Sequence, residues 1–370
     1  MKVCHVTPLP PVKSGISKYS KELILSLQKR GIEEFAISTG KAFSSLEVLN
    51  FDLLKLDQVM HEIRKRRPDL IHYQFGASYK NYFVMICNRL LKNFDLPQVV
   101  TVHDVPFISL MWLNKVEPLR EALWRAFLQK VEKRLCDSND VLIVHSLYAK
   151  RLLHKYYGVD RDKVTIIQHG ALLISSPKDK ERLKEILNLP QDAVVILSGG
   201  GIYPRKGLDD LLLAFSKVKE KAFLVILGDG PYLGYLKQLA QDLRVNERVR
   251  FTGYVSDNVM ADYFKACDFV VLAKKSSFGE TSGMLVNALA FGKPVIATDV
   301  GANRELVINQ ENGFLIQPRD VECLKLAMST LIETPHLGAK MGEKSLEMAK
   351  NLDWDVVCGQ IEEVYKNALC

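Results

Sequence analysis

The sequence predicts an α/β protein of two domains, each built on a parallel sheet covered on both faces. Three observations carry this. Short Val/Ile-rich runs alternate with longer amphipathic runs along the whole chain. Strands joined by helices in that order pair in parallel and are buried on both faces, which is why they read as continuous apolar runs. The alternation occurs twice, on either side of a polar stretch near residues 171–192, and 370 residues exceed what one hydrophobic core usually serves.

In order, the first half has strand candidates at 2–7, 35–38, 69–73, 98–102, 141–144 and 164–167, with helices expected at 18–30 and 117–135. The stretch 171–192 has no strand pattern. Ser175, Ser176 and Pro177 precede a Lys/Asp/Glu cluster there, so it reads as a linker running into a helix. The second half has strand candidates at 193–198, 223–227, 249–251, 269–272, 294–298 and 314–316. The expected division is 1–172 and 173–352, with a final helix over 353–370.

Composition narrows the function. Hydrophobic residues make up 48% and charged residues 25%, the usage of a globular chain rather than a disordered one. The net charge of +7 favours anionic partners, but no Lys/Arg tract carries the interleaved aromatics of RNA-binding sheets, so nucleic acid is not expected. The seven cysteines are scattered, with no Cys-x-x-Cys pair, which points to neither a zinc site nor a disulfide framework and suits a reducing cytoplasm. Pro8, Pro10 and Pro11 break the first apolar run, so an export signal is not expected, and no apolar run approaches the length of a membrane span.

Open parallel sheets bind ligands at the carboxyl ends of their strands, so the loops after each strand should carry the chemistry. After the first strand, Ser14 and Gly15 stand at a helix entrance, where backbone N–H groups and the positive helix end favour an anion; a Ser-capped turn is the alternative. After the first strand of the second half, Ser198-Gly199-Gly200-Gly201 leads through Arg205, Lys206 and Gly207 into a helix near Leu208. Three glycines followed by two cations suggest a diphosphate site, against the alternative of a solvated basic loop; the spacing is not that of a Walker loop. Gly228-Asp229-Gly230-Pro231 departs from the dinucleotide fingerprint and reads as a strand-to-helix turn, which disfavours a nicotinamide dehydrogenase. Glu280 is expected at the entrance of a helix spanning 284–291, as a cap or as a grip on a polyol, with Asn287 two turns on. Neither Asp160-Arg161-Asp162 nor Asp353-Trp354-Asp355 lies at a strand end, so no metal is expected. His5, His72 and His103 lie on or near strands, where core histidines are common.

Taken together and in this order, these loops resemble the family 4 glycosyltransferases of GT-B fold. The resemblance covers nearly the whole chain and is strongest over 199–316, through Tyr203-Pro204-Arg205-Lys206-Gly207, Leu227-Gly228-Asp229-Gly230-Pro231, Val249 to Val255, Gly292-Lys293-Pro294-Val295-Ile296-Ala297-Thr298 and Asn312-Gly313-Phe314-Leu315. In the first half, Ser14-Gly15, Thr101-Val102-His103-Asp104 and Gln168-His169-Gly170 also look like family elements. The resemblance implies two Rossmann-like domains facing each other across a cleft, the first on the acceptor side and the second binding the nucleotide-sugar. It implies metal-independent, retaining transfer of a sugar, a hexose in expectation, from a nucleotide diphosphate to an acceptor hydroxyl, without a cofactor. Arg205 and Lys206 would neutralise the departing diphosphate, with the Gly15 amide beside it and Gly200 in the loop. Gly253, Tyr254 and Val255 would line the base pocket. Glu280, with Thr281, Ser282, Gly283 and Met284, would hold sugar and phosphate. His103 would contact the donor sugar, and Asn287 would stand at the ribose position. Three departures from the family pattern stand out: Asn287 where a carboxylate is usual, Gly201 where an arginine is common, and Ser14 where a second glycine is common.

The need for cations also follows from the chemistry. Without a metal, protein charges must stabilise the leaving group. One charge pair near 4 Å is worth about 4 kcal/mol at an effective dielectric of 20, and about 1.4 kcal/mol of barrier is tenfold in rate. The expected acceptor is a glycan or lipid-linked glycan of cell-surface polysaccharide synthesis. Arg64-Lys65-Arg66-Arg67, and Trp112, Trp124, Phe127 and Leu128 beside Arg120, Arg125, Lys130, Lys133 and Arg134, suit peripheral contact with an anionic inner-membrane face. Packing on the sheet and a solvated basic face are the other reading of those residues. A non-catalytic nucleotide-sugar-binding protein and a sugar-nucleotide epimerase are the alternative functions.

Overall fold

The structure is a computed structural model and describes residues 1–12, 14–39, 46–51, 56–76, 82–105, 130, 132–171, 177–219 and 221–370. The chain divides into two compact units. The first comprises Met1–Gly170, Phe278–Glu280 and Trp354–Cys370; the second comprises Ala171–Ser277 and Thr281–Asp353.

The first unit holds seven parallel strands: β1 (Lys2–Val6), β2 (Glu33–Ser38), β3 (Glu47–Asn50), β4 (Leu70–Phe75), β5 (Gln98–Val102), β6 (Val141–Val144) and β7 (Val164–Ile166). Their order is β3-β2-β1-β4-β5-β6-β7. β4 and β5 are buried at every residue. The sequence reading lacks β3. Its residues Glu47-Val48-Leu49-Asn50 form a half-exposed edge strand with no continuous apolar run, so pairing with β2 rather than composition makes it a strand.

Each face of this sheet carries its own core. Ile71, Tyr73, Val100, Val102, Leu142 and Val144 face one cluster. Val3, Leu70, Val99 and Ile143 face the other, which is closed by Tyr19, Leu23 and Leu27 of the Gly15–Lys29 helix and by the tail helix Trp354–Leu369. The tail buries Trp354, Val357, Cys358, Ile361, Val364 and Tyr365, the three-and-four spacing of one helix face. Arg30 and Glu362 pair at 2.9 Å at the rim of that contact. The helix expected at 18–30 starts three residues earlier, because Ser14 caps it. Of the helix expected at 117–135, residues 117–129 and 131 lie outside the described residues, as does the aromatic cluster Trp112, Trp124, Phe127 and Leu128. Ser175 and Ser176 of the expected linker also lie outside them.

The second unit holds six parallel strands: β8 (Val194–Gly199), β9 (Ala222–Leu227), β10 (Val249–Gly253), β11 (Phe269–Leu272), β12 (Val295–Thr298) and β13 (Gly313–Ile316). Their order, β10-β9-β8-β11-β12-β13, reverses direction at β8, the switch point where doubly wound sheets open a ligand crevice. Within 171–192 the chain forms the helix Lys180–Ile186, whose cap Asp179 accepts from Arg182 N at 2.8 Å.

The assignment of Phe278–Glu280 to the second domain needs correction. The Val105 amide donates to Phe278 O at 2.7 Å, and a side chain on Gly279 would meet Val105, Leu152 and Ala149 within 3.6 Å. These three residues therefore belong with the first unit.

Candidate active site

In the second unit, the glycine loop after β8 lies against the loop after β9. Gly200 N donates to Leu227 O at 3.0 Å, and Ile202 N donates to Asp229 O at 2.9 Å. A Cβ on Gly199 would stand 2.3 Å from Leu227 O. Close packing thus accounts for Gly199. At Gly200 packing makes no such demand: the nearest atom to an added Cβ is Met284 Cγ at 4.0 Å. That distance brings the loop beside the start of the Gly283–Ala290 helix.

Arg205 and Lys206 sit in a one-turn 3-10 segment, Pro204–Lys206, and both are half-buried. The turn is pinned from below. Gly207 takes a left-handed conformation with φ +66°, and a Cβ there would meet Ala273 O at 1.8 Å, so only glycine fits. Lys275 N donates to Arg205 O at 2.8 Å, and Lys275 Nζ pairs with Asp209 at 2.6 Å and Asp210 at 3.4 Å. Burial raises the Asp210 carboxyl above its ordinary range, against the opposing pull of Lys275. Lys275 and Asp209 were not singled out by sequence reasoning. Their signal, an unremarkable Lys and an Asp in a helix's first turn, becomes meaningful only once the fold brings them together.

The Gly283–Ala290 helix begins at Ser282, whose side chain makes no capping bond, and its first turn has no acidic residue. The first amides of such a helix have no intrahelical acceptors and attract anions. Thr281 Oγ1 is buried without a partner beside them. Glu280 is not the cap that the sequence suggested. It lies two residues before Ser282, outside the helix, and accepts from Phe278 N at 2.6 Å. Only Asn287 is on the helix, where it is buried. At the end of β10, the Gly253 carbonyl is taken by Gly228 N at 2.8 Å; Tyr254 is exposed and Val255 half-buried.

In the first unit, Ser14 caps the Gly15–Lys29 helix, accepting from Ser17 N at 3.0 Å, while Gly15 faces open space. His103 follows β5 directly. Its Nε2 lies 2.8 Å from the Gln74 side chain, and its Nδ1 lies 3.2 Å from Nε2 of His145. Tyr19 packs on His103, His145, His169 and Trp354 with ring centroids 4.7 to 5.1 Å apart. Burial holds His103 well below the ordinary imidazole range and takes His145 down to about 3. Sequence reasoning did not single out Gln74 or His145 as site residues. The available signals were a lone amide inside an all-buried strand and a His-Ser pair directly after β6.

Among the described residues, no group of three or more His, Cys, Asp and Glu is placed to hold a metal ion. No helix of the described residues is long and apolar enough to cross a membrane.

Two parallel-sheet Rossmann-like domains of this kind make up the GT-B architecture of glycosyltransferases, and solved structures match it end to end. Sucrose-phosphate synthase from Thermosynechococcus elongatus superposes with TM-score 0.82 at 20% identity, covering 99% of this chain and 98% of that one. Anabaena Alr3699/HepE in complex with UDP-glucose superposes with TM-score 0.81 at 19% identity, covering 99% and 100%. Among curated proteins, the D-inositol 3-phosphate glycosyltransferase 2 of Catenulispora acidiphila is 29% identical over 252 residues, 64% of this chain and 58% of that protein. The Corynebacterium glutamicum D-inositol 3-phosphate glycosyltransferase is 28% identical over 252 residues, 64% of this chain and 60% of that protein. The chain thus spans about three fifths of the length of these relatives. The family description "Glycosyltransferase Family 4" matches residues 13–171, and "Glycosyl transferases group 1" matches residues 179–348. The chain belongs to the family 4 glycosyltransferases.

Proposed function

We propose that this protein transfers a sugar from a nucleotide diphosphate to an acceptor hydroxyl, with retention at the anomeric carbon and without a metal or other cofactor. One observation carries the reading. The glycine loop after β8, the Pro204–Lys206 turn and the uncapped start of the Gly283–Ala290 helix belong to one unit, with Gly200 against Met284. Such a cradle offers backbone N–H groups, a positive helix end and two cations, which is what a departing diphosphate requires when no metal neutralises it. Arg205 and Lys206 take the diphosphate. The amides of Gly283 and Met284 and the buried Thr281 hydroxyl hold phosphate and sugar, Glu280 grips the sugar, and Tyr254 with its neighbours borders the base. The second unit is then the donor domain, and the first, with the tail helix, serves the acceptor.

A thermal-shift screen of UDP, GDP, ADP and CDP tests this. A ligand at 100 times its dissociation constant stabilises by about 2.7 kcal/mol, so one of the four should raise the melting temperature clearly. No shift with any of them refutes the donor site, and loss of transfer in EDTA that manganese restores refutes the metal-free mechanism. Hydrolysis of the matching nucleotide-sugar without acceptor separates an enzyme from a binding protein.

A lipid-linked acceptor of a cell-surface glycan fits the basic face of the first unit. Arg64, Lys65 and Arg67 are exposed there, whereas Arg66 is taken up by Glu47 and Glu62. Binding to anionic vesicles should therefore depend on Arg64, Lys65 and Arg67 and weaken with salt. Absence of co-sedimentation at low salt points to a soluble acceptor.

A further inference from the structure

We propose that Gln74 and His145 are positioning residues that keep His103 neutral with its one ring proton on Nδ1, as a link in a hydrogen-bond chain running in a single direction from Tyr365 to the Ile167 carbonyl. The functional half of this rests on the reading of His103 as a donor-side residue.

The direction follows from counting donors. His145 Nδ1 lies 2.9 Å from Ile167 O. A carbonyl only accepts, so the proton of His145 is on Nδ1 and its Nε2 accepts. That Nε2 is 3.2 Å from His103 Nδ1, which must therefore carry a hydrogen. A neutral His103 then has a bare Nε2, 2.8 Å from the Gln74 amide. As placed, the amide oxygen faces this nitrogen, an arrangement that would require a second proton and a positive ring. Burial of His103 among His72, His145 and His169 opposes that charge. A half-turn of the amide removes the conflict, since the oxygen and nitrogen of a Gln side chain are assigned by their partners. The amide N–H then donates to His103. The amide oxygen accepts from His72 Nε2 at 3.1 Å, with Thr101 Oγ1 2.8 Å from the same nitrogen. Tyr365 OH, on the tail helix, donates to His72 Nδ1 at 2.6 Å. Every ring nitrogen along the chain then has a partner of the right sense, and no charge is buried.

Both ring nitrogens of His103 are thus occupied inside the first unit, and Tyr19 covers the ring at 4.7 Å. The ring has no free nitrogen to act as an acid or base. It serves as an anchor for the main chain of His103–Val105, which is also held by His103 N to Phe75 O at 2.8 Å and Val105 N to Phe278 O at 2.7 Å. His103 is thus held as an uncharged ring on a fixed stretch of main chain.

The test is ¹⁵N-histidine NMR of the full chain, with His72, His103 and His145 assigned by single substitutions. Near neutral pH all three should be uncharged, with His103 and His145 protonated on Nδ1 and His72 on Nε2. A positive His103, or a proton on its Nε2, overturns the proposal. His145→Phe removes the end that sets the direction. The Gln74 amide should then turn, and His103 and His72 should change tautomer together, because an orphaned buried N–H is tolerated less well than a bare acceptor. Gln74→Met should leave His103 on Nδ1, since His145 still dictates it. If His145→Phe does not fold, Gln74→Met decides, and a shift of His103 to Nε2–H in that variant overturns the chain. For the functional half, Gln74→Met should lower kcat about tenfold with little change in KM for the nucleotide-sugar chosen by the nucleoside diphosphate screen. An unchanged kcat overturns the positioning role. The NMR arm needs no donor, so its failure is distinct from failure of the transferase reading.

Discussion

Lowering the pH from 7 to 5 should destabilise the first unit ahead of ordinary carboxylate titration. Burial holds His72 and His103 well below their ordinary range, and His145 at about 3. His169 is lowered for the same reason. A depressed histidine stays neutral in the folded chain but takes up a proton when unfolded. Its contribution is therefore present above the unfolded value of about 6.5 and is lost as pH falls toward the folded one. For His145, still neutral at pH 5, the loss between pH 7 and 5 is about 2 kcal/mol. His72, His103 and His169, lowered by the same burial, add to that loss in the same direction. Glu132 works in the opposite sense. Burial raises its carboxyl to about 7, against the pull of the Tyr157 hydroxyl, so the folded form gains a proton over this window and returns about 2 kcal/mol. Buried Glu34 is shifted in the same direction. Four depressed rings oppose two raised carboxyls, so the balance over this window is a loss of stability. Because Trp354 is buried in the first unit and no tryptophan occurs in 171–277 or 281–353, tryptophan fluorescence during urea unfolding reports on the first unit. The midpoint should fall steeply from pH 7 to 5, and less steeply in His145→Phe, which has one proton fewer to bind. A flat midpoint over this range in the wild-type chain would refute the reasoning.

Three further outcomes are expected. Arg205→Ala and Lys206→Ala should each lower turnover at least tenfold while leaving the melting temperature within a few degrees, because both lie in a half-buried turn outside the cores; wild-type turnover in both would remove the diphosphate assignment. Gly170→Ala should destabilise the first unit by about 1–3 kcal/mol, since its Cβ would stand 2.4 Å from the Trp354 ring and force the tail helix outward; urea unfolding followed by Trp354 fluorescence measures it, and an unchanged midpoint would mean that the tail yields at no cost. Glu280→Gln should impair transfer more than Asn287→Ala when both kinetic constants are measured at saturating acceptor, because Glu280 lies in the loop ahead of the helix and Asn287 is buried within it; the reverse order would place the donor sugar elsewhere.

What the sequence determined by itself was periodic or local. The strands at 98–102, 141–144 and 269–272 were legible because a buried parallel strand is a continuous apolar run bounded by polar or turn residues. The Pro204–Lys206 turn and the start of the helix at Leu208 were legible because glycine, proline and paired cations mark a strand-to-helix turn at close range. The edge strand Glu47–Asn50 was not legible, since only its neighbour β2 makes it a strand. Nor could spacing show that Glu280 stands outside the helix it precedes, because a cap is defined by backbone geometry, here at Ser282. The tertiary structure alone decided the surroundings of His103. Gln74 and His145 come from a strand interior and a strand end, and Tyr19 and Tyr365 from two helices, with partners as far as 293 residues apart at the His72–Tyr365 bond. Such a set follows no period along the chain. It exists only once the parallel sheet aligns the ends of β4, β5 and β6 and the tail helix closes over them, for a buried polar group must find its partner in space wherever the chain happens to supply one.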